Sequence, residues 1–491
     1  MLFNSWTYLL FLLVGVVLFW LLPIRRRSVF LCSFSVIFYG MWRWDFVLLM
    51  LFSAAVDFVA AKNIASSENP RSRKAWLLTS LSLNLGLLIF FKYTYFIVDN
   101  IGFASSFAGA RAFTSRDLGL SIILPLGISF YTFQTISYSI DVYRKVQEPV
   151  RDFLDFLAYV IFWPQLVAGP ILRAGEVLPQ LHHTKRLRLS DLSVGSTLIV
   201  FGLFKKVVLA DNIAPYADML FSMDASVLTA LDVWVATFLF GFQIYFDFSG
   251  YSDIAIGSAA LLGIRFPNNF NWPYLATGPK EFWQRWHISL SAWIRDYLYL
   301  PLTGRKFETH SVGGLATALN SKAQRNKALF ATWVIMGLWH GANWTFMAWG
   351  IYHACIIFVY RQLPAIERFA KRWPIGGWII WLPLSMLGWI FFRAISLSHA
   401  FQMIGKVISP FEYRLSPAIV GLSNPRVGWA YLWAFFLTLT MVALWTGLHS
   451  GFLASIRDKS AVGFRFAGVM LATVFVLIFL QQKTQFIYFQ F

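Results

Sequence analysis

Long apolar runs, separated by short loops rich in arginine and lysine, organise this chain from end to end. They cover residues 1–22, 28–41, 45–61, 75–98, 118–140, 153–172, 192–210, 231–246, 248–264, 328–360, 376–393, 429–449 and 464–481. A helix crosses a bilayer with about 20 apolar residues. In lipid the backbone must satisfy its own hydrogen bonds, which leaves helices and closed barrels as the spanning structures. Runs of this length and number specify helices. The charged fraction agrees: 13% of the 491 residues are Asp, Glu, Lys or Arg, against roughly 25% in soluble domains. The chain reads as an all-α, polytopic integral membrane protein of roughly ten to thirteen embedded segments. No linker, low-complexity tail or internal repeat divides it, so residues 1–491 form one membrane domain.

The balance of 41 Lys and Arg against 23 Asp and Glu, net +18, would suggest nucleic acid in a soluble protein. Here the cations cluster in short loops: Arg25–Arg27, Lys62 to Lys74, Arg144 to Arg151, Arg173 to Arg188, Arg305 to Lys327 and Arg361 to Arg372. That is the pattern of cytoplasmic loops beside anionic membrane lipid, and it argues against a nucleic-acid partner. Residues 1–22 lack a basic start and a cleavage site, so they read as a retained first helix with its N-terminus outside. The weakly charged stretch Asp99 to Asp117 suits an outside loop. Cys32 and Cys355 lie in apolar runs and read as small buried hydrophobes. Ser190, before Asp191, suits a helix cap. Pro125-Leu126-Gly127, Pro164 and Gly169-Pro170 mark breaks, tolerated in lipid where protein or a watery cavity covers the freed backbone.

Ionisable residues inside apolar runs are costly and are functional candidates by default. Residues 242–253 hold Gln243, Asp247, Tyr251 and Asp253. On a helix Asp247 and Tyr251 would share a face, with Asp253 turned away or capping the next segment. They either bind a substrate or satisfy one another and nearby cations. From Pro279 to Pro301 an amphipathic pattern carries Arg285, His287, Ser291, Arg295 and Asp296 among aromatic residues, with His287 and Ser291 four apart. Gln165 and Arg173 flank the Gly169-Pro170 break as possible cavity-lining groups.

His340 lies between Gly337 and Asn343 in the uncharged run 328–360. An imidazole there can take a proton from an attacking hydroxyl and hand it to a leaving group; it could equally be a packed, hydrogen-bonded histidine. On one straight helix His353 would stand roughly 19 Å away and reads as structural. The eight histidines show no zinc spacing, and no metal ligand set is expected. Neither cysteine is near His287 or His340 in sequence. A hydroxyl attacking an activated acyl group is the chemistry that remains. A transporter of a small anionic or acylated substrate is the alternative, but it would be expected to show paired repeats.

Several motifs together resemble the membrane-bound O-acyltransferase family, in particular its bacterial alginate O-acetyltransferase membrane subunits and D-alanyl transfer proteins. They are PLGISFYTFQ at 125–134, SY at 137–138 with DVYR at 141–144, PQLVAGPI at 164–171, and GLFKK at 202–206 ahead of AD at 210–211. YFDFSGYSD at 245–253, FPNNFN at 266–271, FWQRWHISLS at 282–291 with RDY at 295–297, GLWHGA at 337–342 and FIYFQF at 486–491 complete the set. They span about 120–355 plus the extreme C-terminus.

The resemblance implies helices and re-entrant elements around a central tunnel in the cell inner membrane. It implies His340 as the essential catalytic residue and His287 as the second characteristic position, near the cytoplasmic entrance. It implies acetyl-CoA as donor substrate rather than a bound cofactor, with an acyl-carrier protein as an alternative donor. It further implies an extracytoplasmic serine-esterase-like partner and a polysaccharide acceptor: alginate first, then cellulose, another exopolysaccharide or a cell-wall glycan. Gln165, Asp247, Tyr251, Asp253, Arg285, Ser291, Arg295, Asp296 and Asn343 are candidates for lining the tunnel. The sequence departs from the family in a long basic stretch at 305–327, and at Tyr352-His353-Ala354, where a His-Gly pair is more usual.

Overall fold

The computed structural model describes residues 2–107, 109, 113–167, 169–183, 186–304, 321–420, 424–449, 461–480 and 486, and these form helices with no strand. Polar residues at the loop edges set where helices begin, because a side-chain oxygen can accept an N–H that the first turn leaves unpaired. Ser5 starts α1 (Trp6–Leu21) by accepting from Tyr8 N. Pro23 precedes α2 (Ile24–Gly40), and a tight aromatic turn at 41–44 leads to α3 (Asp45–Ser66). Asn69, followed by Pro70, starts the long α4 (Pro70–Phe107). α5 (Ile128–Tyr143) follows the Pro125–Gly127 break, where Gly127 takes φ +72°.

α6 (Leu189–Ser222) and α7 (Ala230–Leu261) are long and antiparallel, α7 opening with a reciprocal Thr229/Asp232 cap. Two short helices, α8 (Pro279–Arg285) and α9 (Ile288–Ile294), come next. α10 (Lys322–His340) is capped by Ser321, and α11 (Trp344–Gln362) by Asn343. α12 (Pro374–Arg393), α13 (Leu397–Ile408), α14 (Pro425–His449) and α15 (Ala461–Phe479) follow, with further short helices such as Phe153–Val160, Ala174–His183 and Pro364–Arg372 between the numbered ones.

Among the described residues six helices are long and apolar enough to cross a membrane: α3, α4, α6, α7, α12 and α14 through Gly447. Shorter apolar helices stand at Trp6–Leu21 and Ala467–Phe479. The chain is a multi-pass membrane protein. Large apolar side chains such as Leu13, Leu48 and Phe435 are exposed, as on a surface that lipid covers. Cys32 is buried as expected, but Cys355 is exposed. It stands between Ile351 and Val359 at helical spacing, and both of these are exposed too, so it belongs to the lipid-facing stripe.

The structure corrects several boundaries. Runs 231–246 and 248–264 are one helix, α7, because its polar residues find partners on α6 instead of breaking it. Run 328–360 is two antiparallel helices that reverse at 341–343. The amphipathic stretch 279–301 is broken at 286–287. Ser190 lies inside α6, whose first turn is preceded by Arg188. Residues 305–320 and 487–491 lie outside the described residues, so the long basic stretch is seen only from Ser321 and the terminal motif only at Phe486.

Small residues let the helices meet closely. A Cβ on Gly202 of α6 would lie 2.7 Å from Gly250 O of α7, and the converse distance is also 2.7 Å. Gly337 and Gly350 do the same for α10 and α11: Cβ atoms there would lie 2.2 Å from Phe346 O and 2.1 Å from Trp333 O. Such contacts let backbones approach where lipid supplies no hydrophobic drive between helices. Wider, π-helical turns closed by i→i+5 hydrogen bonds interrupt α4 at Ile89–Tyr93 and α6 at Phe204–Ala210, and a third follows α9 at Arg295–Tyr299. Each wider turn re-aims the side chains around it.

The basic loops share one face. Arg73 donates to Tyr143 O, Arg144 to Asp296 O, Arg173 to the Asp296 carboxylate and Arg361 to Tyr299 OH. The opposite face is marked by Trp344 Nε1 donating to Asn100 and by the Arg393–Asp218 ion pair. α10 therefore runs from the basic face, at Lys322, towards the opposite one.

Candidate functional site

His340 is the last residue of α10, and several features fix it there. Gly341 turns extended (φ −162°) and ends the helix. Helix ends leave carbonyls without partners, and here a neighbouring helix supplies donors. Lys92 Nζ donates to Trp339 O at 2.5 Å and His340 O at 3.2 Å, and Tyr93 OH to Leu338 O at 2.8 Å. Both donors sit in the wide turn of α4. The ammonium also complements the negative end of the α10 dipole. The buried His340 ring meets three aromatic faces nearly at right angles: Trp339 (centroids 4.9 Å apart), Trp349 (5.0 Å) and Phe392 (5.3 Å).

His287 occupies the break between α8 and α9. Its backbone is left-handed, φ 42° and ψ 57°, a conformation a non-glycine residue keeps only when its surroundings impose it. Segment 269–271 imposes it: Ile288 N donates to Asn269 O and Asn271 N to Arg285 O, both at 2.9 Å. The side chain is 1% exposed. Nδ1 lies 3.2 Å from Asn269 Oδ1, and Phe248 stands perpendicular to the ring at 4.6 Å. Trp339 joins the two histidines, its ring 4.9 Å from that of His340 and 6.3 Å from that of His287.

The hairpin between α10 and α11 brings a third histidine close. His353 lies 4.9 Å from Trp349, the same ring that His340 touches at 5.0 Å. The large separation expected for a single straight helix is thereby corrected.

The other candidates serve different places. Asp247 and Asp211 both pair with Lys206, at 2.6 and 2.8 Å, in a group that water hardly reaches, while Asp253 pairs with Lys205. Tyr251 packs between Phe3 and Phe486. Gln165 donates to Gln134 Oε1 and Tyr159 O within the broken segment. Arg285 pairs with Glu281. Ser291 donates back to Trp286 O and does not share a helix face with His287, because the helix is broken between them. Arg295 and Arg173 both pair with Asp296 on the basic face, outside the spanning helices. Burial raises the Asp296 pKa, but hydrogen bonds from the two guanidiniums more than offset this and hold it below the usual carboxylate value. Lys92 and Trp349 were not singled out from sequence, and Asn269 and Trp339 stood there only within the FPNNFN and GLWHGA motifs. Of these Lys92 gave a signal, as a cation well inside an apolar run.

Two cavities open at the ends of α10. One of about 420 Å³ is lined by Lys92, Tyr95, Asn343, Thr345, Phe392 and Arg393, among others, with no acidic residue among the described ones. It lies on the face opposite the basic loops, and Phe392 both lines it and meets His340. The other, about 380 Å³, is on the basic face and is lined by Tyr299, Lys322, Arg325, Asn326 and Arg361, with no acidic residue among the described ones. At 1.5 Å per residue the ends of α10 stand about 27 Å apart, close to the thickness of a bilayer's hydrocarbon core. Among the described residues no three His, Cys, Asp or Glu side chains are grouped to hold a metal ion. The arrangement offers imidazole nitrogens inside an aromatic enclosure, with a cationic entrance on either side.

Residues 144–397 match the model of the MBOAT, membrane-bound O-acyltransferase family. The chain is 39% identical to a probable alginate O-acetylase from Azotobacter vinelandii, over 85% of this chain and 80% of that one. It is 34% identical to a probable alginate O-acetylase from Pseudomonas putida over the full length of both. It is also 34% identical to a peptidoglycan O-acetyltransferase from Helicobacter pylori, over 82% of this chain and 79% of that one.

Proposed function

The chain belongs to the membrane-bound O-acyltransferase family, and from that premise we propose that it carries acetyl from a cytoplasmic acetyl-CoA across the cell inner membrane for O-acetylation of an extracytoplasmic polysaccharide. Membership makes it an O-acyltransferase and removes the transporter alternative. The observation that carries the direction of transfer is α10 itself. Its first turn supplies Lys322 and Arg325 to the cavity on the basic face, and its last residue is His340, beside the cavity on the other.

Basic loops mark the cytoplasmic side. Lys322, Arg325 and Arg361, cations among the described residues of the cavity on the basic face, suit the phosphates of a coenzyme A thioester. The hydroxyl enters from the outer cavity. His340 takes its proton as the oxygen bonds to the acetyl carbonyl carbon. The tetrahedral intermediate then collapses, the C–S bond breaks, and the proton passes to the departing sulfur. The products are an acetyl ester and free coenzyme A, and the imidazole ends neutral, as it began. Holding the ring between three aromatic faces fixes its aim, which is where positioning lowers the barrier.

The acceptor hydroxyl belongs to an alginate-like polymer or to a serine-esterase-like partner that finishes the transfer. The alginate reading is supported by the relatives in Azotobacter and Pseudomonas. The Helicobacter relative supports a second reading, a cell-wall glycan. The test of direction uses oriented proteoliposomes with labelled acetyl-CoA confined to one face. Label should reach an acceptor on the other side only when the donor is on the basic-loop face. Equal transfer from either face would overturn it.

A further inference from the structure

We infer that Asn269 is a positioning residue that locks His287 in one tautomer, with the proton on Nδ1, so that Nε2 is presented as a hydrogen-bond acceptor to a substrate hydroxyl or thiol beside His340. The inference deepens the proposed function and rests on it for the identity of that substrate.

The argument begins with which way the Asn269 amide points. Its Oδ1 lies 3.2 Å from Ser289 N, and a backbone N–H can only donate, so the atom facing it must be the oxygen. Ser289 Oγ, 2.9 Å from the same oxygen, already accepts from Ile171 N at 3.0 Å, which turns its own hydrogen towards Asn269. On the other side Asn269 Nδ2 donates to Ser252 Oγ at 3.1 Å. A flipped amide would set its NH2 against the Ser289 N–H and lose these bonds. The amide is therefore held from three directions: α7 through Ser252, α9 through Ser289, and the chain after Gly169-Pro170 through Ile171.

An amide oxygen cannot donate. His287 Nδ1, 3.2 Å from it, must carry a hydrogen. A neutral imidazole has one N–H, so Nε2 keeps its lone pair. Nε2 is buried and has no hydrogen-bond partner among the described residues. Buried polar atoms normally find a partner. At His287 one nitrogen is tied to the anchored Asn269 amide and the other is left as an acceptor. The His287 ring as a whole is surrounded by the rings of Phe130, Phe248, Phe270 and Trp339. The strained backbone at His287 has the same origin, since Asn269 O also receives the Ile288 N–H. One residue thus sets both the kink that swings the imidazole into the enclosure and the tautomer it shows there.

Selective ¹⁵N-histidine labelling of the full chain in lipid, with His287→Gln to identify the signals, reads the tautomer directly. Acetyl transfer is followed in parallel for Asn269→Asp and Asn269→Leu. The wild-type signals should show a protonated Nδ1 and an unprotonated Nε2 at His287. Asn269→Asp keeps an acceptor oxygen and should keep that tautomer and most of kcat. Asn269→Leu should give mixed tautomers and lower kcat tenfold or more, with KM for acetyl-CoA little changed. A wild-type His287 protonated on Nε2 would overturn the inference, and so would Asn269→Leu with the wild-type tautomer and kcat. The spectrum needs no turnover: the expected tautomer in a protein that transfers no acetyl would sink the proposed function and leave the tautomer assignment standing. Should Asn269→Leu fail to fold, the wild-type spectrum and Asn269→Asp still decide it.

Discussion

Lys92 Nζ reaches the carbonyl oxygen of His340 at 3.2 Å, across 248 positions of sequence, and so closes the end of the helix that carries the histidine. Replacing it by Met would leave the Trp339 and His340 carbonyls without this donor. Burying unsatisfied acceptors costs about 1–3 kcal/mol. Lys92→Met should lower the thermal midpoint of the purified protein and reduce kcat, since the imidazole is aimed by the helix end. Wild-type values of both would show that the cap is dispensable.

Gly337→Ala tests the hairpin that brings His340 and His353 to either side of Trp349. The new methyl would meet Phe346 O at 2.2 Å, and backbone cannot swing aside as a side chain can. Overpacking of this kind costs about 1–3 kcal/mol. Reduced thermal stability and strongly reduced acetyl transfer are the expected outcome. Full activity would mean that α10 and α11 can separate without moving the histidine.

For Asp247 the structure points to support. Lys206 bridges Asp247 and Asp211 in a nearly water-free site. Removing the cation takes a buried partner from two carboxylates, and breaking a buried pair costs about 3–5 kcal/mol. Lys206→Met should therefore destabilise the protein far more than Asp247→Asn, which leaves the ammonium paired with Asp211. Folded Asp247→Asn protein should keep its KM for donor. A raised KM with unchanged stability would return Asp247 to the list of binding residues.

On the basic face, Arg325→Ala and Arg361→Ala should raise KM for acetyl-CoA with little change in kcat, the sign of lost binding that is equal in ground and transition states. Added salt should shrink the difference, because these groups are open to solvent ions. Unchanged KM in the double variant would move the donor elsewhere.

Much of this was legible before any coordinates. A histidine in an uncharged run is anomalous whatever the fold, which is why His340 stood out; His287 stood out as part of a polar, aromatic amphipathic stretch, and the spacing of basic loops gave the shared face that Arg73, Arg144, Arg173 and Arg361 build. What was hidden is tertiary. Phe282, Trp286, Leu290 and Trp293 keep helical spacing straight through residue 287, and the kink comes from a backbone bond to Asn269, 19 residues before Ile288. The reversal at 341–343 was masked by Ala342 within an apolar run, so two helices read as one. Polar residues in α7 suggested a break or a binding face, whereas its two aspartates there, Asp247 and Asp253, answer the lysines of α6. Partners for a buried group lie far along the chain, and no local pattern announces them.

The most direct measurement of the central claim is acetyl transfer from labelled acetyl-CoA by the purified protein in proteoliposomes, with and without a serine-esterase-like partner and polymer, beside His340→Ala. The account predicts label moving into an acceptor fraction with the wild type, and a loss of at least a hundredfold in a His340→Ala protein that is folded and inserted. Undiminished transfer by that variant would contradict it.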